Sequence, residues 1–300
     1  MTIGPRITQR LMVEQSLTSM QAGLGRLAKT QEQLTTGRVI NRPSDSPTGT
    51  NTAMRLREQL AHQSQFKRNA EDGLGRLGRI DNTLSSALDQ VRRVRDLTLR
   101  GSSTGSMGLQ AREALAAEIN QIRQALIGQA NTQHLGRPLF GGATSGSAAY
   151  VEDGTGIVTY QGDDTEVYRR VGDEDKVRVD VTGPEAFGEG DDDLFVLLSE
   201  IITNLVSNTD ALPVNLDSLD GAMKRITTAV VDVGARYARL EATGRATADA
   251  ELNLQAALSG IENVDMARAM VDLQMNEVAY QAALGATARV LQPSLIDFLR

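Results

Sequence analysis

Few residues in this chain combine the type and the spacing that reaction chemistry needs. Gly73-Leu-Gly75-Arg-Leu-Gly78 matches the glycine pattern that cradles a dinucleotide pyrophosphate at a helix N-terminus. That chemistry requires an apolar strand just before the glycines, and Lys67 to Asp72 is too polar to be one. A near copy, Gly23-Leu-Gly25-Arg-Leu-Ala28, sits in an equally helical stretch, so both read as small residues where helices approach closely. His62 and His134 stand in different elements, with no companion Cys and no Glu in HExxH spacing, which indicates neither a metal centre nor an activated general base. The carboxylates Asp163, Asp164, Glu166, Asp173, Glu174 and Asp175, followed by Glu189 to Asp193, lack the spacing of a calcium loop with its closing Glu and read as a solvated acidic face. The chain has no cysteine, which removes disulfides, thiolate ligands and cysteine nucleophiles together. The expectation is a protein that is not an enzyme, with no catalytic residue, metal site or cofactor.

Composition points toward long helices. With 300 residues there is ample chain for two or three domains, yet only five Phe, five Tyr and no Trp. Globular cores lean on aromatics for buried area, whereas a chain rich in Ala, Leu, Gln and Arg suits helices packed through aliphatic seams. The net charge of −7 hides an asymmetry: Val151 to Gly221 holds 18 acidic and four basic residues, a net of −14, which leaves +7 for the rest. The arginines of that basic remainder are scattered along helical stretches without interleaved aromatics, the pattern of solvated helix faces rather than of a nucleic-acid surface. The start, Met1-Thr-Ile-Gly-Pro-Arg, lacks the basic and apolar regions of a cleavable signal, and freedom from cysteine suits a protein that leaves the cell unfolded. The best apolar run, Leu194 to Val206, is too short to span a membrane and carries Glu200, so no membrane insertion is expected.

Two seams at the chain ends organise the rest. Near the N-terminus Val13, Leu17, Met20, Leu24, Leu27, Gln31 and Leu34 recur at alternating four- and three-residue steps. In the tail Met266, Met270, Leu273, Tyr280, Leu284 and Leu291 do the same, with Glu277 and Thr287 filling the gaps. A spacing of 3.5 residues held that long marks a coiled-coil seam, and neither segment can bury its stripe alone. The two ends are therefore expected to pair with each other or with neighbouring copies.

Between them, a first helix is predicted from about Pro5 to Thr36, about 45 Å long, with Gly37 as its stop. A bend follows, built on Pro43, Asp45 and Pro47. A second helix of about 75 Å is predicted over 50–100, with Leu56, Leu60, Ala70, Leu74, Leu77, Leu84, Leu88 and Val91 in heptad steps. A loop at Gly101 to Gly108 turns the chain into a third, antiparallel helix carrying Leu115, Ile119, Ile122 and Leu126 on one face. Residues 131–149 read as loop, and the period then becomes two: Val167, Arg169, Val171 and Val177, Val179, Val181 mark strands. A turn at Gly162-Asp163-Asp164 is expected to pair Ile157-Tyr160 with Thr165-Val171. Helix returns at Leu194 behind Asp191 to Asp193, and from about Pro213 a long helix runs through Leu216, Leu219, Met223, Ile226, Val230, Val233, Tyr237 and Leu240. Its heptad phase slips by one position beside Ser259-Gly260, which predicts a joint there.

Several of these stretches resemble one family. Gln33-Leu-Thr-Thr-Gly-Arg-Val-Ile-Asn-Arg-Pro-Ser-Asp-Ser-Pro is similar to the N-terminal core of bacterial flagellins, with Ser46 where the family's Pro-X-Asp-Asp-Pro bend has its second Asp. Asn69-Ala-Glu-Asp-Gly-Leu, Leu84 to Leu99 and Ile261-Glu-Asn-Val-Asp-Met-Ala also resemble flagellin segments. Two details look like the hook-filament junction branch of that family: Ala130-Asn-Thr-Gln-His-Leu-Gly-Arg-Pro-Leu-Phe-Gly-Gly, and the ending Pro293-Ser-Leu295-Ile-Asp-Phe298-Leu. The resemblance covers residues 1–140 and 210–300 and leaves the acidic insert outside it.

What the resemblance implies is a mostly α structural subunit, exported by the flagellar type III apparatus and assembled in a ring. Its partners would be the first hook-associated protein, flagellin and copies of itself, with a cytoplasmic export chaperone covering the C-terminal helix. The assembly residues would be the two seams, with Leu295 and Phe298 added to the second. The expected division is 1–40 with 260–300 as a terminal coiled-coil assembly domain, 41–140 with 207–259 as a helical core rod, and 141–206 as an acidic β-containing insert. A filament subunit, or an intracellular coiled-coil scaffold, are the other readings of the same heptads.

Overall fold

A computed structural model describes residues 9–102, 108–144, 146–154 and 156–291. Long helices dominate: α1 (Gln9–Thr36), α2 (Pro47–Ser102), α3 (Leu109–Ala130), α6 (Leu212–Glu262) and α7 (Met266–Leu291). Three short antiparallel ladders pair β1 (Gln133–His134) with β2 (Arg137–Pro138), β3 (Tyr150–Glu152) with β4 (Val158–Tyr160), and β5 (Tyr168–Arg170) with β6 (Lys176–Arg178). The short α4 (Gly183–Phe187) and α5 (Leu194–Ser207) complete the chain. The fold is the mostly α, long-helix architecture with a small β-containing insert that the periodicity indicates. No helix among the described residues is long and apolar enough to cross a membrane.

The chain divides into two compact units, Met1–Ala61 with Leu252–Arg300 and His62–Glu251. The second holds a single hydrophobic cluster. In it α2 buries Ala70, Leu77, Leu84 and Val91, and beside them a second stripe of Ile80, Ala87 and Val94. A helix with two adjoining apolar stripes packs on two sides. One partner is α6, through Leu219, Ile226, Val233 and Leu240, and the other is α3, through Ile119, Leu126 and Ile127. Gly73 permits the close approach of α6, since a Cβ there would stand 2.9 Å from Leu240 Cδ1 and 3.0 Å from Val179 Cγ1. The dinucleotide-like glycines thus lie inside a continuous helix, where no strand-to-helix phosphate turn exists.

Half of the chain's ten aromatics gather where the insert meets the helices. Tyr150 and Phe195 stack edge-on at 4.9 Å, and Phe140 and Phe187 at 5.2 Å. Arg178 ties the insert together, reaching Asp180 at 2.9 Å, Glu166 at 3.0 Å and Glu185 at 2.7 Å. Burial opposes its charge, but the hydrogen bonds it donates to Glu185 and the nearby charge of Asp180 outweigh burial and push its pKa up. The insert's buried residues, Tyr150, Val158, Val171, Val177 and Val179 among them, belong to the same cluster as the helices.

Three local expectations differ from what the chain does. The strand at Val158–Tyr160 pairs back with Tyr150–Glu152, in the register Tyr150↔Tyr160, and not forward across Gly162-Asp163-Asp164. Asp153 decides this: its carboxylate accepts the Ile157 N–H at 2.9 Å and its carbonyl the Gly156 N–H at 3.1 Å, closing a turn on Gly156 with φ 83°. Asp163 instead donates its N–H to the Gly141 carbonyl, which leaves Tyr168–Arg170 to pair with Lys176–Arg178. Within the stretch expected to be loop, β1 and β2 form a tight hairpin. The third difference is the joint: Ser259-Gly260 is helical, and the break falls at 263–265, where Asp265 Oδ1 accepts the N–H groups of Ala267 and Arg268 and starts α7.

Candidate assembly interface

The first compact unit brings α1 and α7 together. Met20 faces Thr287 at 3.5 Å, Gly23 lies against Tyr280, and Asn276 Nδ2 is 3.4 Å from Thr30 Oγ1, so α1 and α7 run antiparallel. The residues turned inward on α1 are Ser16, Met20, Gly23, Leu27, Thr30 and Leu34, and those on α7 are Ala269, Leu273, Asn276, Tyr280, Ala283 and Thr287. Both sets keep alternating four- and three-residue steps, the spacing of a coiled-coil seam. Small or polar side chains occupy every second layer, which lets Gly23 accept the ring of Tyr280 and Asn276 meet Thr30.

That seam lies one position away from the most apolar stripe of either helix. Of the residues singled out in the sequence, Met20, Leu27, Leu34, Leu273 and Tyr280 enter it, whereas Leu17, Leu24, Met266, Met270 and Leu284 remain exposed. In an antiparallel pair, positions one residue past the seam on either helix fall on the same side. Leu17 and Leu24 therefore share one side with Met270 and Leu284. A second exposed stripe, Val271, Met275, Val278 and Ala282, runs down α7 on the side away from α1, with Met275 and Val278 each 66% exposed. The side chains of Val13 and Leu291, and residues Leu295 and Phe298, lie outside what the structure describes.

The joints at the base of this pair are stitched to each other. Gly37, with φ 70°, ends α1 by donating its N–H to the Gln33 carbonyl. The Val39 N–H then donates to the Glu262 carbonyl at 2.7 Å, and the Val264 N–H to the Gly37 carbonyl at 2.9 Å, around an antiparallel bridge between Arg38 and Asn263. The Glu262 carboxylate is buried and meets Arg57 at 2.7 Å. In the bend, Asp45 accepts the backbone N–H groups of Asn41 and Arg42 and pairs with Lys29 at 3.1 Å. The Arg42 amide and Lys29 together hold its carboxyl below the usual range. Pro47 is the first residue of α2, and Ser46 caps it by accepting the Gly49 N–H at 3.1 Å.

Residues 7–144 match the bacterial flagellin N-terminal helical region and residues 216–299 the bacterial flagellin C-terminal helical region. The chain belongs to the bacterial flagellin family. It is a structural subunit of the bacterial flagellum. The flagellar filament 31.3 kDa core protein of Treponema maltophilum is 27% identical over 91% of this chain and 92% of its own length. The flagellar hook-associated protein 3 of Salmonella typhimurium is 22% identical over 93% of this chain and 94% of its own. In fold, the chain is similar to a flagellar hook-associated protein from Vibrio parahaemolyticus, with a TM-score of 0.68 at 19% identity over 73% of this chain and all of that one.

Seen as a flagellin-family subunit, the chain uses its bend and its Asn131–Gly142 segment as anchors. Asn131 Oδ1 accepts the N–H groups of Ala149 and Tyr150, and its amide donates to the Tyr150 carbonyl, which pins the insert to the end of α3. Phe140 is fully buried, and Gly142, with φ 63°, lies where a Cβ would overlap the Asp163 carbonyl. The outer stripe of α7 was not singled out from the sequence, although its four-, three-, four-residue steps were present. The neighbouring series that runs through Tyr280 and Leu284 is longer and carries the stronger period. His62 and His134 lie apart, and no group of three His, Asp or Glu among the described residues could hold a metal ion.

Proposed function

We propose that this subunit is the adaptor at the hook-filament junction, joining the hook-associated proteins to flagellin as a ring of copies after export by the flagellar type III apparatus. The observation that carries the reading is the surface of α7. Over 26 residues it has only Arg268, Asp272, Glu277 and Arg289 as charged groups, and its apolar residues go round the helix. A helix apolar on several sides is stable in water only when covered, and α1 covers one side. The exposed stripes are the surfaces left for neighbouring subunits in the assembled flagellum, and before export for a cytoplasmic chaperone that takes an amphipathic helix in a groove. The terminal pair, residues 1–40 with 260–300, is thereby the assembly domain, 41–140 with 207–259 the rod, and 141–206 the outward insert.

The segment Asn131–Gly142 supports the junction over the filament, since its junction-like Gly-Arg-Pro-Leu-Phe-Gly-Gly run anchors the insert. A filament subunit is the second reading, favoured by the likeness to the Treponema filament core protein. Gold labelling of the chain on intact flagella separates the two: label confined to the filament base is expected, and label along the filament refutes the adaptor. Removing residues 261–300 is expected to leave His62–Glu251 folded and to abolish filament growth. A truncated chain that still supports filaments would refute the assembly role.

A further inference from the structure

The turn between β1 and β2 is made by Leu135 and Gly136, with φ 51° and 78°. A two-residue hairpin loop with both positions left-handed selects Asn, Asp or Gly, and a branched aliphatic side chain is disfavoured there. Leu135 is the one non-glycine residue with positive φ among the described residues, and its side chain is 84% exposed, so it gains nothing within the subunit to offset the strain. The hairpin that carries it is rigid. The Leu139 N–H donates to the Thr132 carbonyl at 2.9 Å, and Arg79 on α2 donates to the Gln133 carbonyl at 3.1 Å. Arg137, exposed, flanks the tip.

A receptor of matching chemistry lies on the same unit. Between α5 and the start of α6 is a groove of about 630 Å³ in which Val196, Ala211 and Val214 form an apolar strip beside Ser199, Thr203 and an Asn204–Asn215 hydrogen bond of 2.9 Å. Its single charged lining residue is Glu200, opposite in sign to Arg137. Another groove of this unit sets Lys224, Arg225 and Arg236 beside Glu185 and Asp232, so its cations outnumber its carboxylates and it attracts that arginine less. The two partners cannot meet within one chain. Arg79 fixes the hairpin on α2, and Arg95 binds Asp220 at 2.6 Å, which sets the groove a further turn or more toward the C-terminal end of α2. The separation along α2 is therefore about 30 Å at 1.5 Å per residue.

We propose that Leu135 of one copy seats in the α5–α6 groove of a second copy, with Arg137 facing Glu200. A knob and a hole at different places on one subunit make a head-to-tail contact, the kind that closes rings or extends filaments. This inference rests on the assembly role proposed above. Because the chain has no native cysteine, the variant Leu135→Cys with Val214→Cys reports this contact alone. Full-length chain carrying both changes would replace the parent in cells. Isolated flagella would be immunoblotted for the chain and treated with a short bis-maleimide. The expected result is a ladder of multiples of the subunit mass from the double variant and none from either single one. Three results would overturn the contact while leaving the assembly role standing: chain present without a ladder, the same ladder from Leu135→Cys alone, or an adduct to a protein of another mass. Absence of the parent chain, blotted alongside, from isolated flagella would overturn both. Leu135→Asn separates folding from docking: its melting temperature should equal or exceed the parent's, because Asn suits the turn, while filament retention drops several-fold. Undiminished retention would contradict the knob.

Discussion

The Arg57–Glu262 pair at the base of the terminal helices should respond unequally to losing one partner or the other. Glu262 is 8% exposed at its side chain and Arg57 is 52% exposed, at an N–O distance of 2.7 Å. Arg57→Ala leaves a carboxylate in a place that water barely reaches. Breaking a fully buried pair costs about 3–5 kcal/mol, and since Arg57 stands half in water the loss should be about 2–3 kcal/mol. Glu262→Gln keeps an oxygen that accepts from Arg57, whose guanidinium is already half in water and loses little with the charge of its partner, so its cost should be about 0.5–1 kcal/mol, as for an exposed pair. Combining both changes should give less than the sum, with a coupling of about 1 kcal/mol or more. Chemical denaturation of the full chain measures the totals. Hydrogen exchange at the Val39 and Val264 amides, whose bonds lie at this joint, shows where the loss falls. If Glu262→Gln destabilises as much as Arg57→Ala, burial does not set the asymmetry and the reasoning fails.

Other consequences follow from the same contacts. Gly142→Ala would place a Cβ on the Asp163 carbonyl at φ 63° and should cost about 3 kcal/mol or more. Gly128→Ala in α3 meets nothing within 4 Å and should stabilise by about 0.5–1 kcal/mol; thermal melts of the two give opposite signs. Met275→Ser with Val278→Ser should leave the melting temperature of the isolated chain within about 1–2 °C but weaken assembly about tenfold or more, since each side chain has about 1–2 kcal/mol of burial still to gain. Sedimentation of flagella with the bound chain would read this. In acid, Glu185 and Asp45 act in the same direction. Burial raises the Glu185 pKa, but Arg178 and the Thr182 amide outweigh it, so its carboxyl, like that of Asp45, lies below its unfolded value. The stability from both is complete above the unfolded values of 4.5 and 3.8 and is lost as pH falls through the lower folded ones. Melting temperature should stay level from about pH 7 to 5 and fall below about pH 4, with a shallower fall in Glu185→Gln.

Much of this protein was legible in its residues because its helices are long and repetitive. A heptad held over many turns has few alternatives, so the rods followed from period and the bend at Pro43 to Pro47 from its prolines, while period left open whether the terminal helices pair with each other or with neighbouring copies. Ser46, read from the sequence only as part of the bend, caps α2, which starts at Pro47 and not at residue 50. Tertiary structure decided matters that depend on distance along the fold. Periodicity locates a stripe but cannot say which edge of it faces the partner. The α1–α7 seam therefore settled on Gly23, Thr30 and Asn276, where small or hydrogen-bonding groups let the backbones approach, and left the larger Leu24 and Met270 beside it. Strand pairing was decided the same way, by one carboxylate at Asp153 that closes a turn no alternation pattern records. The break before α7 moved to 263–265 because the Asp265 cap and the backbone bridge to Arg38 favour it there. The chain's own residues determined which elements form, and the short contacts between elements distant in sequence determined where they end and which faces remain exposed.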